Sequence, residues 1–180
     1  CNDFFSPDRI WINQGQGHFQ ALPRLALRKT SFASMAVDFA DINRDGWDDF
    51  LVVDMLARGH RERMFQRSNF ELAPVPWLGW PPDRDGPESR PQTLRNTLFL
   101  NRGDGTYTEI ALAAGVAATD WSWTPLFLDV DLDGYEDLLI ANGFHRNVLD
   151  SDAVRRMNEA KAARKLSPAE ELQLREYFPP

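Results

Sequence analysis

Short runs of apolar and β-branched residues, separated by turns rich in glycine and aspartate, dominate the first 149 positions of the chain. Such runs are typical of strands, and no long helical period interrupts them. The pattern predicts eight strands: Arg9–Asn13, His18–Ala21, Ala33–Ala40, Phe50–Asp54, Thr97–Asn101, Thr106–Ile110, Trp123–Leu128 and Leu138–Asn142. We therefore expect a mainly β fold built from short antiparallel strands.

The strand pattern is internally repeated. Residues 10–55 align without a gap with residues 98–143, at a constant offset of 88 positions. Matched pairs include Trp11 with Phe99, and Gly46 with Gly134. Repeats of several short strands with periods above about forty residues are typical of β-propellers. The repeat predicts half a blade, one full blade and half of another, and hence a partial propeller belonging to a longer protein.

Two segments depart from this pattern. Residues 56–97 are predicted to be an insertion within a blade, beginning with a short basic helix over Arg58–Arg67. Six prolines then predict an irregular excursion that carries Trp77 and Trp80. These tryptophans could form a ligand platform or a small local core.

The second departure is a helical extension over residues 150–180, which follows the repeats of residues 1–149. Asp152 is predicted to cap a helix over Ala153–Lys165. Ser167 and Glu170 have the spacing of a capping box, with Pro168 at the first helical position. The second helix of this predicted pair should end near Tyr177.

The composition excludes several kinds of partner and site. Twenty basic and 27 acidic residues give a net charge of −7, which argues against nucleic acid or an anionic membrane as the main partner. No apolar run is long enough for a transmembrane helix. One cysteine and three scattered histidines exclude a disulfide framework and a zinc site of the usual spacing.

The negative charge is concentrated in two nine-residue loops, Asp41–Asp49 and Asp129–Asp137. Each has oxygen-bearing side chains at positions 1, 3, 5 and 9, a glycine at position 6, and a residue at position 7 whose backbone carbonyl can act as a ligand. Hard, charged oxygen ligands suit Ca²⁺ better than a soft transition metal. The loops therefore predict two calcium sites, and solvated turns without metal are the alternative.

The spacing resembles the start of an EF-hand loop, but an EF-hand requires glutamate at position 12. Val52 and Ile140 stand there, inside predicted strands, so an EF-hand is not expected. Position 3 also differs between the loops, since Asn43 replaces the charge that Asp131 supplies. Ligand charge tunes affinity, so the first loop is predicted to bind Ca²⁺ more weakly.

These residues carry a family resemblance. The two loops, the turn within residues 101–109, the segment Asp120-Trp-Ser-Trp and the segment Ile140-Ala-Asn-Gly resemble FG-GAP/VCBS repeats, the blades of integrin-α-like propellers. The combination is most similar to the bacterial branch related to cartilage acidic protein, of the ASPIC/UnbV type. The resemblance implies the calcium ligands Asp41, Asn43, Asp45, Trp47, Asp49, Asp129, Asp131, Asp133, Tyr135 and Asp137.

The resemblance also implies a role in adhesion or ligand binding. The expected function is a non-catalytic, calcium-binding segment that presents a protein- or carbohydrate-binding surface outside the cytoplasm, where Ca²⁺ is typically near millimolar. Its other expected partners are the remaining blades of the parent protein. The alternatives are a propeller enzyme acting on a polysaccharide or another polymer, and an assembly module that uses open strand edges.

Overall fold

The computed structural model describes residues 1–3, 6–71, 90–143, 150–163 and 167–178, and within them the fold is mainly β. All eight predicted strands form, with ends displaced by at most three residues. The strands are β1 (Trp11–Gly15), β2 (His18–Ala21), β3 (Thr30–Ser31), β4 (Ala36–Ala40), β5 (Asp49–Val53), β6 (Gln92–Thr93), β7 (Thr97–Asn101), β8 (Tyr107–Glu109), β9 (Ser122–Leu128) and β10 (Asp137–Asn142). The helices are α1 (His60–Glu71), α2 (Ser151–Ala163) and α3 (Pro168–Gln173), and short 3₁₀ turns span Arg24–Ala26 and Leu174–Tyr177.

A four-stranded sheet forms the centre of the fold, with strand order β4-β5-β7-β8 and antiparallel pairing throughout. The joint between β5 and β7 places Phe50 opposite Phe99 and Leu51 opposite Leu98. Every residue of β5 is buried, which explains why its sequence is continuously apolar after Asp49. This sheet is the one complete blade that the repeat predicted.

Two-stranded sheets flank the complete blade. The repeat offset makes β1–β2 equivalent to β7–β8, and β9–β10 equivalent to β4–β5. Each flanking pair is thus half of a blade, as the sequence predicted. The partial propeller is confirmed in this form.

The core lies on both faces of the central blade. On one face Phe50 stacks on Phe99, with ring centroids 4.8 Å apart, and meets the edge of Tyr107. On the other face Leu51 and Leu98 belong to a buried cluster that includes Ala111, with β9 and β10 packed against it. Adjacent blades therefore share one hydrophobic layer.

The same kind of polar contact forms at two equivalent places of the repeat, and the second lies within the complete blade, where β5 ends and β7 begins. The Asn2 N–H donates to Asp8 Oδ1 at 2.7 Å, six positions along the chain. The Asp54 N–H donates to Asn96 Oδ1, also at 2.7 Å, but across 42 positions. Asp8 and Asn96 are equivalent in the repeat. The chain between Asp54 and Asn96 is therefore 36 residues longer than the chain between Asn2 and Asp8.

The described part of these additional residues begins with α1, which overlaps the predicted basic helix. Its Gln66 side chain donates to the Met55 carbonyl at 2.9 Å and accepts from the Ala57 N–H at 2.8 Å. The chain then re-enters through β6, which pairs in parallel with β3, a contact that the sequence did not predict. Trp77 and Trp80 lie outside the described residues, so their predicted roles stay predictions.

In the helical extension, the predicted cap at Asp152 is wrong. The Ala153 N–H donates to Asp150 Oδ1 at 2.7 Å, so Asp150 caps α2. Asp152 instead lies in the first turn and pairs with Arg61 of α1 at 2.8 Å. The Ser167 capping box forms as predicted, with Pro168 as the first residue of α3. None of the helices that the structure describes has the length and hydropathy needed to cross a bilayer.

Candidate calcium-binding loops

The two acidic loops adopt the same backbone conformation. Each connects the two strands of a hairpin, β4 to β5 and β9 to β10. Position 4 has a positive φ in both loops, 60° at Arg44 and 61° at Leu132. Position 6 has φ of 88° at Gly46 and 86° at Gly134, which only glycine adopts without strain. These turns bend the chain back so that the acidic side chains converge.

In the first loop the side-chain oxygens accept hydrogen bonds from the loop's own backbone. Both carboxylate oxygens of Asp41 are used, by the Asp45 N–H at 2.9 Å and the Gly46 N–H at 2.8 Å. Asp45 in turn accepts from the Trp47 N–H and from the Asn43 side-chain amide. The predicted ligand positions therefore lie close together. The Asn43 side-chain amide, however, donates to Asp45, and both Asp41 oxygens already accept hydrogen bonds.

The second loop repeats this network with one difference. Asp129 Oδ2 accepts from the Gly134 N–H at 2.8 Å, as Asp41 does from Gly46. Asp129 Oδ1, however, is buried and has no hydrogen-bond donor among the described residues. Oxygens of Asp129, Asp131 and Asp137 lie within 4.8 Å of one another. Three carboxylates at this separation repel, so the arrangement favours a cation between them.

Position 9 anchors each loop to the fold. Asp49 accepts from the Ile42 N–H at 3.2 Å and, across the strand joint, from the Asn101 N–H of β7 at 2.8 Å. Burial raises the pKa of Asp49, and the charges of Asp45 and Asp41 act in the same direction. Asp137 makes only the first of these contacts within the described residues, with the Val130 N–H at 3.0 Å. Asp49 therefore connects the first loop to the neighbouring strand β7 as well as closing the loop itself.

The two loops also contact each other. The guanidinium carbon of Arg44 lies 3.9 Å from the centroid of the Tyr135 ring, a cation–π contact between position 4 of one loop and position 7 of the next. The loops of successive blades thus lie side by side. Trp47, the other residue at position 7, is half exposed, and its indole lies next to Gly103 in the β7–β8 turn.

The structure brings three predicted ligand residues of the second loop together, namely Asp129, Asp131 and Asp137. In the first loop the predicted ligand residues are linked by hydrogen bonds instead. A cluster of three carboxylates occurs only in the second loop among the described residues. Asp133 is not part of that cluster, and one of its oxygens accepts from the Tyr135 N–H at 2.7 Å. The role of Trp47 and Tyr135 as carbonyl ligands stays a prediction. Asn101, whose N–H donates to Asp49, was not among the predicted site residues. The signal that could have found it is its match to Asn13, 88 positions earlier in the repeat.

Comparison with known families identifies the two repeats. The model of the FG-GAP-like repeat matches residues 1–52 and 88–140, more than half of the chain, and both acidic loops lie within the matched segments. The chain belongs to the FG-GAP-like repeat family. No curated protein and no solved structure gave a match. The unmatched stretch between the two FG-GAP-like segments contains α1 and most of the predicted insertion.

Proposed function

We propose that this chain is a non-catalytic, calcium-binding β-propeller segment that presents a protein- or carbohydrate-binding surface outside the cytoplasm. Each cation would neutralise one acidic loop and fix the hairpin that carries it. Binding to the folded chain alone would then stabilise the blade by mass action. Extracytoplasmic calcium concentrations suit loops of this kind.

The observation that carries the proposal is the carboxylate cluster of the second loop. The oxygen of Asp129 that lacks a donor among the described residues is buried, and the neighbouring oxygens come from Asp131 and Asp137. A buried carboxylate oxygen without a donor is costly unless a cation or water satisfies it. Three hard carboxylate oxygens at this spacing are ligands of the kind that Ca²⁺ prefers.

Thermal unfolding with Ca²⁺, with Mg²⁺ and with a chelator tests the proposal. We expect millimolar Ca²⁺ to raise the unfolding midpoint by several degrees, and the variant Asp45→Ala/Asp133→Ala to lose this increase. Asp152→Ala is the matched control, because Asp152 is an exposed acid on α2 that belongs to neither loop. An equal midpoint with Ca²⁺ and with chelator, in wild-type chain that unfolds cooperatively, would contradict the proposal.

The two loops should differ in affinity. In the first loop, Asp41 must release the Asp45 N–H before its Oδ1 is free for a cation, whereas the equivalent Oδ1 of Asp129 has no donor among the described residues. We expect Asp41→Ala, which leaves the second loop, to bind Ca²⁺ more tightly than Asp129→Ala, which leaves the first. Isothermal titration of both variants measures this difference, and tighter binding by the Asp129→Ala variant would contradict it.

A further inference from the structure

A cleft beside the complete blade collects basic side chains in an otherwise acidic chain. It has a volume of about 230 Å³ and lies between the β7–β8 hairpin and the segment that follows β2. Its polar lining includes Arg28, Lys29, Arg102, Tyr107, Thr108 and Glu109. None of the described lining residues belongs to β1, β2, β9 or β10, so the cleft does not involve the edges of the half-blades.

A buried ion-pair network holds one cation of the cleft in place. The Glu109 side chain is 7% exposed, and its carboxylate lies 3.0 Å from Lys29 Nζ and 2.9 Å from Arg95 Nη1. Two cations thus share one carboxylate, which leaves a net positive charge beside the cleft. The Lys29 side chain is still 37% exposed, so its ammonium can also donate to a ligand. A cation that is fixed before binding loses less conformational entropy when a ligand arrives.

Two further cations of the cleft have no such counter-charge. Arg28 and Arg102 are exposed, and neither side chain forms a salt bridge with a described residue. Asp104 stands in the same turn as Arg102, but it does not line the cleft. Guanidinium groups bind carboxylates through paired N–H donors. The cleft is therefore suited to an anionic group.

The hairpin itself does not require these charges. Four residues that line the cleft are charged, and their counterparts at the repeat offset of 88 positions are uncharged. The pairs are Arg28 with Val116, Lys29 with Ala117, Arg102 with Gln14, and Glu109 with Ala21. The equivalent hairpin β1–β2 forms with the uncharged residues Gln14 and Ala21. The charges are therefore specific to this one blade, as expected of a site placed on a repeated scaffold.

The rest of the lining favours a sugar as the group that carries the negative charge. The Tyr107 ring is held edge-on against Phe50, with centroids 5.2 Å apart, and Thr108 is exposed. A fixed aromatic ring beside hydroxyl groups suits a ligand that has both an apolar ring face and hydroxyls. The volume is below the roughly 300–1,000 Å³ of pockets for drug-sized ligands, so the cleft suits a single sugar unit.

We infer that this cleft binds a uronate unit of an acidic polysaccharide. The carboxylate would face Arg28, Lys29 and Arg102, and the sugar ring would contact Tyr107 and Thr108. The inference rests on the proposed function, because it names the ligand class of the proposed binding surface. The net charge of −7 repels an acidic polymer from the rest of the chain, so the contact should be confined to the cleft.

Isothermal titration with short oligogalacturonate and oligomannuronate, two uronates that differ in hydroxyl configuration, tests the site. We expect at least one to bind saturably, and Arg28→Gln/Arg102→Gln to weaken that binding by about tenfold or more, because two charge-assisted contacts are lost. Both arginines are exposed, so their replacement should leave the fold intact. The matched control is Arg155→Gln/Arg156→Gln, which removes the same charge from exposed positions of α2 and should bind as the wild type does. No binding of either uronate, or equal losses in the two variants, would overturn the inference.

Three further titrations separate the sugar, its charge and the acidic loops. A neutral oligogalactose should not bind, and pentaglutamate, which has carboxylates but no sugar ring, should bind more weakly than the uronate. Equal binding by either probe would overturn the assignment of a uronate. Repeating the uronate titration with a chelator should leave binding unchanged, whereas binding that needs Ca²⁺ and survives Arg28→Gln/Arg102→Gln would place the ligand on the acidic loops and overturn the inference. If uronate binding fails while Ca²⁺ still raises the unfolding midpoint, the cleft is wrong and the proposed calcium binding stands.

Discussion

Glu109 pairs with two cations at the end of β8. Its carboxylate is 7% exposed and lies 3.0 Å from Lys29 Nζ and 2.9 Å from Arg95 Nη1. Burial alone would raise the pKa of Glu109, but the hydrogen bonds from Arg95, from the Ala111 N–H and from Lys29 lower it to about 2. The carboxylate therefore stabilises the fold only while it is ionised.

Neutralising this carboxylate should destabilise the chain. Glu109→Gln is expected to lower the free energy of unfolding by about 3 kcal/mol at pH 7, because it leaves two partly buried cations without their counter-charge. The control is Glu159→Gln, whose 63% exposed carboxylate pairs with Arg155 and should change the value by less than about 0.5 kcal/mol. Urea unfolding measures both. The pKa of Glu109 is lower in the folded chain, so its contribution is complete above about pH 4.5 and disappears as the pH falls towards 2. Equal losses in the two variants would contradict this account.

Asp54 should produce the opposite pH dependence. Burial raises its pKa to about 6, despite the N–H groups of Ala33, Met55 and Phe32 that donate to it. The folded chain then holds this proton more tightly than the unfolded chain, where the pKa is near 3.8. Stability should therefore fall by about 3 kcal/mol as the pH rises from about 4 to about 6.

The variant Asp54→Asn isolates this contribution. Asparagine has nearly the size of aspartate and cannot ionise, and the repeat carries Asn142 at the equivalent site of β10. The decline of stability between pH 4 and pH 6 should flatten in this variant, and a smaller slope should remain from Asp8, whose pKa burial also raises. Denaturant unfolding at several pH values measures the slope. An unchanged slope would show that Asp54 is not the responsible group.

At the scale of elements, the β7–β8 turn supports the first acidic loop. Gly103 in this turn has φ of 68°, and a Cβ there would lie 2.8 Å from the Trp47 indole nitrogen. Gly105 has φ of 79°, and a Cβ there would meet no described atom within 4 Å. The two glycines therefore share the backbone strain of a substitution but differ in contact with the loop.

This pair of glycines gives a matched comparison. Gly103→Ala and Gly105→Ala should each cost about 1 kcal/mol of stability from the positive φ. Gly103→Ala should in addition displace the Trp47 ring and weaken Ca²⁺ binding at the first loop. Tryptophan fluorescence during a Ca²⁺ titration reports both effects. Identical titrations of the two variants would show that the turn does not support the loop.

The conformation of the acidic loops was predictable because their oxygen-bearing side chains and their glycine lie within nine residues of one another, so spacing alone specifies the local geometry. The same holds for the Ser167 capping box. Contacts that depend on strand pairing were not predictable in this way. Asn101 reaches Asp49 only because β5 and β7 are in register, and β3 meets β6 only because the chain returns after α1.

At the scale of the whole molecule, the repeat predicted the blade arrangement because matched positions recur at a constant offset. The repeat could not show that the strands of the half-blades and those of the complete blade differ in burial. The residues of β5 are all buried and those of β1 are all exposed, although both strands carry apolar side chains. A strand buries its side chains only when its neighbours are present, and within the described residues β1 and β10 each have a neighbour on one side only.

This difference predicts an order of stability across the fold. Amides of β5 and β7 should exchange with deuterium only by global unfolding, whereas amides of β1 and β2 should exchange by local opening at a much lower free energy. The reason is that β5 pairs on both sides within a buried sheet, whereas β1 pairs only with β2 among the described strands and is exposed along its length. Hydrogen exchange read by mass spectrometry measures the order. Ca²⁺ should slow exchange further in β9 and β10, which flank the second loop, more than in β1 and β2, which flank neither. Equal protection of β1 and β5 would show that the half-blade folds as tightly as the complete one, and that an absent neighbour does not explain its exposure.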